Sequence, residues 1–197
     1  MLKKIIKSVE KISSSFQENE LAYLSLTSKI EHLMRDRTAF VLCQLLENFY
    51  VVSREYKRID LVILEKDKKD FNPIIAVQFK AYYTFDFQTK EGAEKFNKLI
   101  QEDFEKSQEK CPGSQYFSIL FCVHPTSRVD NYPEKIINYK KGINRAFSNK
   151  TEKEILEKAE KVINGFDFIV EKTGIIKGGS AFDVKVNVFY WVLRKDN

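Results

Sequence analysis

The chain divides into segments with the residue spacing of helices and segments with the composition of strands. Apolar residues recur at intervals of three and four in the segments that we predict to be helices, which are 19–26, 28–47, 91–110, 133–147 and 151–163. Runs rich in β-branched and aromatic residues predict strands over 49–56, 58–65, 73–82, 116–123, 166–171 and 183–193. Thr27 or Ser28, followed by Glu31, indicates a capping box at the start of the first long helix.

The order of these elements predicts an α/β or α+β fold with a mixed central β-sheet flanked by helices. A helix, three strands, a helix and a strand follow one another over about residues 28–124, which we take as the core of a single domain spanning residues 1–197. The run 116–123 is almost continuously apolar, which is typical of a central strand covered on both faces. Residues 133–193 would elaborate this core, and Gly178-Gly179 predicts the turn between the last two strands.

Composition excludes several classes of protein. The content of 43% hydrophobic residues, with 7 Gly and 4 Pro, argues against disorder over most of the chain. No run of about 18 uncharged apolar residues is present, so no membrane span is expected. Lys7 and Glu10 interrupt the N-terminal segment before the apolar core of a signal peptide can form, and we therefore expect a cytoplasmic protein.

The cysteines and histidines give little support to a zinc site. Three cysteines at unrelated spacings, Cys43, Cys111 and Cys122, fit neither a disulfide framework nor a zinc knuckle, and 2 histidines are too few for a His-rich site. The net charge of +5 is compatible with a polyanionic partner.

Three polar residues lie at strand positions where apolar residues are the rule. Gln78 and Lys80 share one face of their predicted strand, because side chains alternate between the two faces of a sheet. If this strand and the preceding one form a hairpin centred on Lys69, Asp60 lies directly opposite Gln78, with Cβ atoms roughly 5 Å apart. A carboxylate and an amide oxygen suit Mg²⁺, and a neighbouring ammonium would stabilise a water molecule that attacks a phosphodiester.

The segments 58–63 (RIDLVI) and 75–80 (IAVQFK), on adjacent predicted strands, resemble the motif of the PD-(D/E)XK nuclease superfamily. By this resemblance Asp60 matches the first acid, Gln78 the second acidic position and Lys80 the lysine, within a restriction-endonuclease-like core. Ile59 stands where the motif has proline, and Gln78 removes one negative charge from the metal site. Many members add a glutamate from the preceding helix; Glu31 is the best match, and the other candidates are Glu47, Glu55 and Glu20.

The resemblance implies a DNA endonuclease that depends on Mg²⁺, with Mn²⁺ as a substitute, and most simply a homodimeric enzyme of the type II restriction class. Asp60, Gln78 and Glu31 would bind the metal, and Lys80 would act on the water. A basic segment provides candidate phosphate contacts, namely Lys135, Lys140, Lys141 and Arg145. Two alternatives remain open: a structure-selective nuclease of the junction-resolvase or repair type, and a catalytically inactive DNA-binding module, which Gln78 favours. The sequence does not distinguish DNA from RNA as the substrate.

Overall fold

The computed structural model describes residues 1–195, which form an α+β fold with a six-stranded mixed sheet and six helices. The helices are α1 (Leu2–Lys11), α2 (Glu20–Thr27), α3 (Glu31–Leu45), α4 (Lys90–Lys110), α5 (Lys140–Ala146) and α6 (Glu152–Ile163). The strands are β1 (Tyr50–Tyr56), β2 (Ile59–Asp67), β3 (Asp70–Tyr83), β4 (Gln115–Pro125), β5 (Ile169–Ala181) and β6 (Val184–Arg194). Short 3-10 helices occupy Ile12–Ser15 and Thr84–Gln88. Within residues 1–195, no helix is both long enough and apolar enough to cross a membrane.

The strands lie in the order β1-β2-β3-β4-β6-β5. β3 and β4 pair in parallel, and α4 makes the crossover connection that a parallel pair needs. The other neighbouring strands pair antiparallel. The predicted order of helix, three strands, helix and strand is confirmed, and β4 is buried along almost all of its length.

Alternation along β3 separates the two faces of the sheet. Val77 and Phe79 pack into the core that α1, α2 and α3 cover, whereas Tyr82 belongs to the core on the opposite face, beneath α4 and α6. Gln78 and Lys80 share the face of Tyr82 because they lie four and two residues before it, respectively. The predicted pair of polar residues is therefore directed toward α4.

The hairpin of β2 and β3 has the predicted register near Asp60. Its turn is Lys68-Lys69, and Asp67 pairs with Asp70, so both strands extend toward the turn beyond the predicted bounds of 58–65 and 73–82. Leu64 pairs with Pro73 but Ile63 pairs with Ile75, and this bulge shifts the register by one residue. Beyond it Leu61 lies opposite Val77, which is the register of a hairpin centred on Lys69.

Several predicted boundaries were wrong. α3 begins at Glu31 without a side-chain cap at Ile30, so the predicted capping box is absent; the Ser28 N–H instead donates to Leu24 O at the end of α2. The helix predicted over 133–147 is reduced to α5. The N-terminal helix α1 was not predicted, and its buried residues Ile5 and Val9 extend the core.

Gly178-Gly179 lies inside β5, and the turn before β6 is Phe182-Asp183. Gly179 has a φ of +85°, and a Cβ there would lie 2.5 Å from Asn19 Oδ1. The same Asn19 oxygen accepts a hydrogen bond from Ser180 N at 2.7 Å. The glycine is therefore required for close approach between β5 and the start of α2, and not for a chain reversal.

Candidate functional site

Two carboxylates accept hydrogen bonds from backbone amides of β3 that lie beyond its last pair with β2. That last pair is Leu61 with Val77, and the next amides along the edge belong to Phe79 and Ala81. Phe79 N donates to Asp60 Oδ2 at 2.8 Å, and Ala81 N donates to Glu31 Oε2 at 3.1 Å. The end of the hairpin thus places Asp60 and Glu31 along one stretch of backbone.

Gln78 contacts Asp60, as the predicted register requires. Asp60 N donates to Gln78 Oε1 at 3.3 Å. The Gln78 side chain is buried, and its Nε2 has no hydrogen-bond partner among the described residues. Because a buried donor without a partner is costly, this amide is a point at which water or a ligand would be stabilised.

Lys80 makes an ion pair that the sequence did not predict. Its Nζ lies 2.5 Å from Asp103 Oδ2 on α4, and the two side chains are only 19% and 17% exposed. Asp103 lies three residues after Ile100 and four before Ser107, the two buried residues of α4, so it shares their face of the helix. A charged residue on the apolar stripe of a predicted helix was therefore the signal that could have identified Asp103.

Arg35 is a second unpredicted neighbour. It lies four residues after Glu31 on α3, so the two side chains emerge on the same helix face. Its buried guanidinium donates to Asp36 Oδ1 at 2.9 Å, contacts Glu55 Oε1, and lies 3.8 Å from Asp60 Oδ1. The spacing from Glu31 was available in the sequence, but nothing local indicates that β2 brings Asp60 to the same place.

Burial dominates the electrostatics of Asp60. Desolvation raises the pKa of this carboxyl, and the negative charge of Glu31 raises it further. The hydrogen bond from Phe79 N and the positive charges of Lys80 and Arg35 act in the opposite direction without cancelling the rise. The rise in the pKa of Asp60 is therefore mainly a consequence of its burial, with two cationic side chains close by.

Of the four candidate glutamates, Glu31 is the one that caps β3 beside Asp60. Glu55 reaches the site only through Arg35. Glu20 pairs with Arg37 at 3.7 Å, and Glu47 pairs with Lys4 at 2.5 Å. Glu31 also pairs with Lys29, at 3.0 Å, but within residues 1–195 it alone of the four accepts a hydrogen bond from β3 and raises the pKa of Asp60 by its charge.

The basic segment is not a uniform phosphate-binding surface. Lys140 Nζ donates to the carbonyl oxygens of Asp130 and Tyr132, so this ammonium holds the loop before α5. Lys141 forms an ion pair with Glu134 at 3.1 Å. Lys135 is exposed, and Arg145 lines a groove beside the start of α4.

The donor set suits one hard cation with few protein ligands. Asp60, Glu31 and the amide oxygen of Gln78 are the oxygen types that Mg²⁺ and Mn²⁺ prefer, and Mg²⁺ is usually held by one or two carboxylates together with water and phosphate oxygens. Residues 1–195 contain no group of three or more His, Cys, Asp or Glu side chains arranged to hold a metal ion. The oxygen types are those of a sparsely coordinated Mg²⁺ site, and the described residues do not form a cage of protein ligands.

Comparisons of the chain with protein-family models, with curated proteins and with solved structures find no match.

Proposed function

We propose that this chain is a metal-dependent DNA endonuclease of the restriction-enzyme-like class. The observation that carries the proposal is the grouping of Asp60, Gln78 and Lys80 at the open end of the β2–β3 hairpin, with Glu31 on the same edge. Metal-dependent phosphodiester hydrolysis uses a site that attracts a hard cation and a positive group beside the attacked phosphate. The carboxylates provide the first, and Lys80 provides the second.

Each residue has a separate role in this proposal. Asp60, Glu31 and the Gln78 oxygen would hold Mg²⁺, and the raised pKa of Asp60 indicates a carboxylate that an added cation would stabilise in its charged form. Bound Mg²⁺ would supply a water of lowered pKa and neutralise charge on the phosphate. Lys80 would orient the attacking water by hydrogen bonding and stabilise the charge that develops on the phosphate oxygens. Asp103 would fix the position of the Lys80 ammonium.

The test is cleavage of supercoiled plasmid and of long linear DNA in Mg²⁺, in Mn²⁺ and in EDTA. We expect cleavage with either metal and none in EDTA. Asp60→Asn, which keeps the acceptor for Phe79 N, and Lys80→Ala should each reduce the rate by at least about 100-fold. Asp67→Asn is the matched control, since Asp67 is exposed at the far end of the same strand. Absence of cleavage by the folded wild-type chain in both metals would refute the proposal.

A second function is favoured by the ion pairs already present. Asp103 neutralises Lys80 at 2.5 Å, and Arg35 lies 3.8 Å from Asp60, so each catalytic candidate has a counter-charge within the chain. A nuclease-like fold that binds DNA without cleaving it would keep such pairs. Calorimetric titration with Mg²⁺ separates the two functions: the nuclease should bind the ion with dependence on Asp60, whereas the binding module should give no heat of Mg²⁺ binding yet retain DNA in a gel-shift assay.

A further inference from the structure

A groove of about 600 Å³ lies where the Thr84–Gln88 segment, the start of α4 and the end of α5 meet. Its walls include Phe85 and Phe96, both half-buried, and the cationic side chains Lys95 and Arg145. The volume is within the range of small-molecule sites, which is about 300–1,000 Å³. The groove therefore combines aromatic surface with positive charge in a space suited to one small ligand.

The cationic side chains of the groove differ in their hydrogen bonds and ion pairs. Lys150 Nζ donates to Gln88 Oε1 at 2.8 Å and is held by that contact. Arg145 has no side-chain hydrogen bond or ion pair with any residue in 1–195, and neither has Lys95. The positive charge of Lys95 acts to lower the pKa of the Asp86 carboxyl, so Lys95 has a counter-charge nearby, whereas Arg145 forms no ion pair within residues 1–195.

The carboxylates of the groove do not neutralise both cations. Asp86 turns inward, where its Oδ2 accepts a hydrogen bond from Tyr83 N at 2.8 Å, and burial raises its pKa. Glu91 is exposed in the first turn of α4. With Lys95, Arg145 and Lys150 against these two groups, the lining retains an excess of positive charge, which favours an anionic ligand.

The groove lies next to the candidate site, and the packed rings of Phe96 and Tyr82 lie between the two. The ring centroid of Phe96 lies 3.9 Å from that of Tyr82, and Tyr82 follows Lys80 by two residues on the same face of β3. Burial raises the pKa of Tyr82, and the negative charges of Glu31 and Asp103 raise it further, so this phenol lies near those two carboxylates. About 7 Å of strand separates the α-carbons of Lys80 and Tyr82.

We propose that this groove binds one nucleotide of a nucleic-acid strand, with the base against Phe85 and Phe96 and the phosphate on Arg145 and Lys95. Aromatic faces stack on any base, and guanidinium groups bind phosphate oxygens in pairs. The inference rests on the proposed nuclease function, since it names the part of the substrate that lies beside the scissile phosphate. A groove for a single nucleotide favours substrates in which that nucleotide is unpaired.

The test is calorimetric titration, in EDTA, with 2′-deoxyadenosine 5′-monophosphate, deoxyadenosine and inorganic phosphate. We expect the nucleotide to bind at least about tenfold more tightly than either fragment, and Arg145→Gln or Lys95→Gln to weaken it about tenfold. Lys98→Gln is the matched control on the same helix, because Lys98 pairs with Glu102 and lies outside the groove.

Three outcomes would overturn the proposal: nucleotide binding no tighter than phosphate binding, equal binding by Arg145→Gln and wild type, or equal weakening by Lys95→Gln and Lys98→Gln. The titration is independent of catalysis, and Asp60→Asn should bind the nucleotide as wild type does. Failure of the nuclease proposal would thus appear as lost DNA cleavage with nucleotide binding intact.

Discussion

Removal of the Lys80 ammonium should destabilise the fold, because it leaves the Asp103 carboxylate without its partner. The two atoms are 2.5 Å apart, and the side chains are 19% and 17% exposed, so the pair is largely desolvated. Removing one partner of a buried pair costs about 3–5 kcal/mol. Since roughly a fifth of each side chain still meets solvent, the lower end applies, and we expect Lys80→Met to lose about 3 kcal/mol.

Equilibrium unfolding in urea measures this loss, and thermal unfolding should show a decrease in Tm of about 6–12 °C for a chain of this size. The double variant Lys80→Met/Asp103→Leu should recover stability to within about 1 kcal/mol of wild type, because both charges are then absent. Lys98→Met is the matched control: Lys98 and Glu102 are 77% and 52% exposed, and an exposed helix pair contributes only about 0.3–0.5 kcal/mol.

A loss of unfolding free energy in Lys80→Met no larger than that in Lys98→Met would contradict this prediction. The prediction would also fail if the double variant were less stable than Lys80→Met, because the lost stability would then come from packing of the Lys80 and Asp103 side chains.

Three further predictions concern metal binding and pH. A concentration of 10 mM Mg²⁺, at a site with a Kd near ~1 mM, should stabilise the wild-type fold by about 1.4 kcal/mol, and Asp60→Asn should abolish the shift in Tm. The folded pKa of Asp60 lies above the ordinary value of 3.8. The stability that the protonated carboxyl contributes is therefore complete below pH 3.8 and is lost as pH rises through the folded value. In metal-free urea unfolding, Asp60→Asn should be more stable than wild type at pH 7 and equal to it below pH 3.8. His124 is fully buried, with Nδ1 2.8 Å from Thr84 Oγ1, and burial lowers its pKa below 6.5 although Glu152 opposes the shift. The stability that comes from neutral His124 is complete above pH 6.5 and is lost as pH falls through the lower folded value, so His124→Gln should flatten the stability curve in that window.

Each of these predictions has a result that would contradict it. An equal Mg²⁺ shift in wild type and Asp60→Asn would place the ion elsewhere. A stability difference between these two proteins that does not change with pH would exclude desolvation of the charge as its cause. Parallel pH curves for wild type and His124→Gln would show that His124 titrates alike in the folded and unfolded states.

Local sequence patterns were sufficient to predict the geometry of the candidate site. Alternation along β3 puts Gln78 and Lys80 on one face, because the side-chain period of a strand is two residues. A short hairpin brings Asp60 beside Gln78, since its connection leaves few pairings open. The register near Asp60 was predicted correctly although the turn was not. The turn is Lys68-Lys69 and is not centred on Lys69, and the bulge between Ile63 and Leu64 shifts the pairing back to the predicted register.

The distant groups that surround Asp60, Gln78 and Lys80 depend on how the helices pack on the sheet. Asp103 reaches Lys80 because α4 crosses back over the sheet, and Arg35 reaches Asp60 because α3 packs beside the start of β2. The selection of Glu31 among four glutamates and the groove beside Phe96 depend on the same packing. These contacts join segments far apart in sequence, whose relative placement follows from burial of apolar faces and not from any local pattern. Local periodicity therefore fixes faces and registers, whereas the partners of the charges are set by how the layers pack.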